Sequence, residues 1–124
     1  MNMPMKYAMR TIVALAALVM AQAVLAHTML EHANPAVGST VHGAPAKVEL
    51  WFTEELEPSF STVKVIDVNG RQVDRMNQEV DRSDSSRLRV SLPALAPGVY
   101  RVVWRAVSVD SHVTEGDYKF ELVP

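Results

Sequence analysis

Beyond residue 26 the chain alternates between apolar and polar positions with a period of two. Val48, Leu50 and Phe52 alternate with Glu49, Trp51 and Thr53. That is the signature of a strand with one buried face. Val63 and Val65 repeat it within the β-branched run 61–68, which ends at Asn69-Gly70, the pair favoured in a two-residue hairpin turn. Arg71 to Val73 is the expected returning strand. Leu88, Val90 and Leu92 alternate with Arg87, Arg89 and Ser91, and Pro93 stops them. Ala96-Pro97-Gly98 marks a turn into the longest strand, 99–107, with Tyr100, Val102, Trp104 and Ala106 on one face and Arg101 and Arg105 on the other. The run 118–122 is the last strand.

The intervening stretches read differently. Residues 27–35 form an edge strand or extended arm closed by Asn34-Pro35, and 37–45, rich in Gly, Ser and Pro, is a loop. Glu54 to Pro58 is a charged connection with room for one helical turn, and 76–86 is a polar loop holding at most a short strand. No segment after residue 26 sustains a 3.6-residue pattern. About seven short strands with frequent turn signals indicate an all-β fold, a seven-stranded Greek-key sandwich or barrel.

The first 26 residues follow another logic. Lys6 and Arg10 precede an apolar stretch, and small neutral residues close it, the order of a secretory signal peptide. The apolar run is shorter than the roughly 20 residues that span a bilayer. The expected division is 1–26 signal peptide and 27–124 mature domain, exported from the cytoplasm with no membrane span after cleavage. Cleavage after Ala23 would start the chain at Val24, and cleavage after Ala26 would start it at His27; both fit the small-residue rule.

Charge and composition then narrow the function. Residues 27–124 carry ten Lys and Arg against fourteen Asp and Glu. Such a mildly acidic domain lacks the electrostatic footprint for nucleic acid or anionic lipid. Cysteine is absent, which excludes disulfides and thiolate metal sites. Five of the seven methionines lie in the leader, leaving Met29 and Met76.

The candidate chemistry sits in Ser108-Val109-Asp110-Ser111-His112. On an extended backbone, residues two apart project from one face, so the Asp110 carboxylate and His112 imidazole converge. They make half of a metal site. A histidine at the first position of a mature chain offers its α-amine and its imidazole together, so cleavage before His27 would supply the other half. Three nitrogens and one oxygen suit tetragonal Cu(II), which leads the Irving–Williams order. Protonation competes for these donors, so affinity is expected to fall as the pH drops. His32 and His42 read as surface residues, Trp51 and Trp104 as core or near-core aromatics. Glu54 could orient a ligand from outside the donor set, although its acidic neighbourhood also reads as a solvated face.

Several longer stretches are familiar together. They are His27 after the leader, Asn34-Pro35-Ala36-Val37-Gly38-Ser39, 44–54, and the run 95–108 followed by Asp110-Ser111-His112 and by 116–120. Through them the chain resembles the CopC family of exported copper-binding proteins over essentially the whole of 27–124. The resemblance implies a cupredoxin-like Greek-key barrel that holds one Cu(II) ion through His27, Asp110 and His112. Glu54 falls where some members carry a Glu proposed near the copper. Some members also have a Met-rich Cu(I) loop between the middle strands; here 67–86 offers only Met76 and no His, so no Cu(I) site is expected. The implied role is to sequester or carry copper without enzymatic activity, as a monomer that passes the metal to an inner-membrane importer of CopD type. Two other readings remain: an oxidative copper enzyme with an N-terminal His brace, and a metal-free Ig-like interaction domain. An enzyme needs an open coordination position and a broad substrate face, for which this domain has little room.

Overall fold

In a computed structural model the described residues are 30–124. The leader, its two cleavage points, His27 and Met29 lie outside them. Eight strands follow in order: β1 (Leu30–Asn34), β2 (Thr40–His42), β3 (Lys47–Phe52), β4 (Thr62–Ile66), β5 (Glu79–Val80), β6 (Arg87–Ser91), β7 (Gly98–Val107) and β8 (Val113–Val123). They build two four-stranded sheets, ordered β1-β3-β6-β5 and β2-β8-β7-β4. The chain crosses between sheets repeatedly, and the fold is the expected all-β sandwich.

The period of two becomes the core directly. Val48, Leu50 and Phe52 of β3, with Leu88 and Val90 of β6, face Val63 and Val65 of β4 across the sandwich. From the second sheet come Tyr100, Val102, Trp104 and Ala106 of β7, and Tyr118, Phe120 and Leu122 of β8. Burying such side chains removes about 1.5–3 kcal/mol of unfavourable hydration each, which a domain without disulfides relies on. Trp104 packs edge-on against Phe52, ring centroids 5.3 Å apart. Its indole lies across Gly116, its partner on β8, where an added Cβ would stand 2.5 Å from an indole carbon. Trp51 lies half-buried on the outer face of the first sheet, between the rings of His32 at 4.8 Å and the Arg87 guanidinium at 5.8 Å.

Four sequence expectations need correction. Residues 37–45 are not wholly loop, because β2 pairs in parallel with β8, Thr40 opposite Glu121. Gly38 and Gly43, at φ of 70° and 81°, turn the chain into and out of this strand, and their N–H groups donate to the carbonyls of Lys119 and Val123. The predicted return over 71–73 narrows to a single bridge, Ile66 with Gln72. Here side chains replace the strand: Asp74 and Gln78 accept the outward N–H groups of Val65 at 2.8 Å and Val63 at 3.0 Å. The segment 54–58 forms turns and a bridge from Leu56 to Ser108 instead of a helical turn. Finally, β8 begins at Val113, five residues before the expected start.

Candidate metal centre

The long β7–β8 hairpin carries the site in its turn. The strands pair from Gly98 opposite Leu122 to Val107 opposite Val113, so Asp110 and His112 lie past the end of the ladder. They do not stand on an extended strand, and their convergence has a different cause. The Ser108 N–H donates to the His112 carbonyl, and the Ser111 N–H to the Ser108 carbonyl, both at 2.9 Å. Ser111 holds a left-handed φ of 75°, which reverses the chain and lets residues 110 and 112 face each other.

Ser108 sits beneath this turn, fully buried. Its hydroxyl donates to Asp110 Oδ1 and accepts the His112 N–H at 3.1 Å. The Ser108 hydrogen bond is the largest influence holding the Asp110 carboxyl below its usual range. The His112 N–H, the His112 side chain and Glu54 act in the same direction, against a desolvation effect that raises it. The outcome is an ionised, acceptor-rich carboxylate with its side chain about half exposed.

The third member comes from the connection after β3. Leu56 is buried and bridges to Ser108, while the Glu57 N–H donates to the Val107 carbonyl at 2.7 Å and the Val109 N–H to the Glu55 carbonyl at 3.0 Å. These bonds lay 54–57 along the base of the turn and bring Glu54 beside it. His112 Nδ1 then stands 3.2 Å from Asp110 Oδ1 and 3.9 Å from Glu54 Oε2. Ligand atoms of Glu54, Asp110 and His112 all lie within 4.8 Å of one another. Donors about 2 Å from one ion would be spaced at roughly 2.8–4 Å, so small side-chain adjustments fit these three to a divalent cation.

The sequence-predicted residues thus divide. Asp110, His112 and Glu54 come together; His27 lies outside the described residues. His32 and His42 are exposed and stand outside the Glu54–Asp110–His112 group. The pattern reading included Ser108 in the motif but gave it no role. Its position, two before an Asp and four before a His, is the spacing of side-chain-to-backbone bonds that organise turns.

A family model described as the CopC domain matches residues 30–123. Among curated relatives, protein YobA of Escherichia coli K12 is 36% identical over 100 residues, covering 80% of this chain and 81% of that one. The copper transport protein CutJ of Bacillus subtilis is 35% identical over 98 residues, 78% of this chain but only 18% of that protein. Among solved structures, CopC from Methylosinus trichosporium OB3b superimposes with a TM-score of 0.72 at 31% identity, covering 79% of this chain and 95% of that one.

Proposed function

The chain belongs to the CopC family, and from that premise we propose that it binds a single Cu(II) ion outside the cytoplasm and sequesters or carries it. The observation that carries the reading is the convergence of His112, Asp110 and Glu54 on one small volume at the hairpin turn. The β1–β3 pairing supports a fourth participant. Leu30 lies opposite Phe52 in an antiparallel pair, so β1 begins at the Glu54 end of β3. His27 precedes Leu30 by three positions, a reach of at most about 10 Å at roughly 3.3 Å per residue. After cleavage behind Ala26, the α-amine and imidazole of His27 would join Asp110 and His112 as donors, with Glu54 alongside to orient a ligand or shield the ion's charge. Such a nitrogen-rich set favours Cu(II) over zinc or nickel. Its role here is to bind and orient, and enzymatic turnover is not part of the proposal.

In CutJ the matched segment is under a fifth of a longer copper transport protein. We extend this to a carrier in the periplasm, a monomer that delivers to a membrane copper importer of CopD type. Intact mass of the exported protein combined with Cu(II) titration followed by electron paramagnetic resonance tests the site. A chain starting at His27 with one nitrogen-rich tetragonal signal at one equivalent is the expected result. A chain starting at Val24, or a spectrum without nitrogen coupling, would overturn it.

A further inference from the structure

We propose that Ser108 is the positioning residue of this site: its hydroxyl fixes Asp110 and His112 in the relative placement that one metal ion requires. The inference rests on the copper reading and deepens it. Asp110 and His112 are themselves loosely held by their surroundings, with side chains 54% and 71% exposed. Left to the turn alone, each would sample several rotamers, and binding would have to order both.

Ser108 narrows that freedom from below, at the Asp110 carboxylate directly and at His112 through its backbone N–H. A hydroxyl has one proton and two lone pairs, so it can donate and accept at once. Here the proton goes to Asp110 Oδ1, and the oxygen accepts the His112 N–H. One buried atom therefore touches both residues of the pair. The same residue's backbone donates to the His112 carbonyl and accepts from Ser111. Its pairing with Leu56 links the turn to the segment bearing Glu54. A serine retained only to fill space would be replaceable by alanine, which is almost as large and leaves the β7 and β8 ladders untouched.

The test compares the mature chain with its Ser108→Ala and Ser108→Thr variants. Each is measured by competition titration with Cu(II), by electron paramagnetic resonance, and by thermal melting of the metal-free form. Ser108→Ala is expected to stay folded with Cu(II) affinity lowered about 10- to 100-fold, the usual effect of removing a group that orients a ligand. Its spectrum should split into more than one copper species. In the metal-free protein, the His112 amide should exchange with solvent faster. Ser108→Thr keeps the hydroxyl and should recover affinity and the single spectrum. Wild-type affinity and a single wild-type spectrum in Ser108→Ala would overturn the inference, as would a folded Ser108→Thr that binds as poorly as Ser108→Ala. A wild-type chain that binds no Cu(II) would instead overturn the copper reading itself.

Discussion

Ser111 occupies a backbone region that costs a residue with a Cβ roughly 1–2 kcal/mol, and it does so between Asp110 and His112, two residues of the proposed site. The left-handed φ of 75° is what turns residues 110 and 112 toward each other. Ser111→Gly should therefore stabilise the metal-free protein slightly or leave it unchanged, with the site kept. Ser111→Val places a branched side chain where the backbone excludes it, and should lower both the melting temperature and Cu(II) affinity. Calorimetry of the two variants, paired with copper titration, checks this; equal affinities would show that the turn conformation is not what aligns the ligands. The pair Asp110 and His112 was legible in the sequence because a carboxylate and an imidazole two apart stand out. The reason they meet was not, since an αL serine leaves no mark in composition or periodicity.

At the scale of elements, the β7–β8 hairpin is the stiff support of the site, and its tightest point is Trp104 over Gly116. Close approach is possible there because glycine has no Cβ, and Trp104 cannot retreat without leaving Phe52. Gly116→Ala should cost about 1–3 kcal/mol, the range for overpacking a filled core. Chemical denaturation would read this as a lower midpoint with an unchanged slope, and a variant as stable as the parent would mean that the indole shifts freely. The alternation of Tyr100, Val102, Trp104 and Ala106 made β7 readable, as did the same pattern in β3 and β6. β2 was hidden for two reasons. Three residues flanked by glycines show no period, and their partner lies some 80 positions away on β8. The 71–73 return misled in the opposite sense. Asn69-Gly70 does make a turn there, but beyond the single Gln72 bridge the outward N–H groups of β4 are met by the side chains of Asp74 and Gln78.

For the whole molecule, stability rests on one core and on the few polar groups sealed into it. Tyr118 is such a group: its hydroxyl donates to the Pro35 carbonyl at 2.9 Å, and burial pushes its pKa well above the usual value. Tyr100 is shifted the same way, by burial and then by the charge of Asp67. A raised pKa means that the unfolded chain loses these protons first. Their contribution is intact below about pH 10, the ordinary tyrosine value, and declines as the pH rises above it. Urea midpoints should hold from pH 7 to 9 and fall beyond pH 10. Tyr118→Phe should flatten that fall while lowering neutral stability by about 1 kcal/mol through the lost hydrogen bond; identical alkaline slopes would refute the assignment. The guard on β4 has a consequence of another kind. An open strand border is a template on which further chains can polymerise. Because two side chains, not a ninth strand, occupy the donors of Val63 and Val65, substitutions of Asp74 and Gln78 would uncover a growth surface along β4. Such a variant is expected to become able to seed fibres.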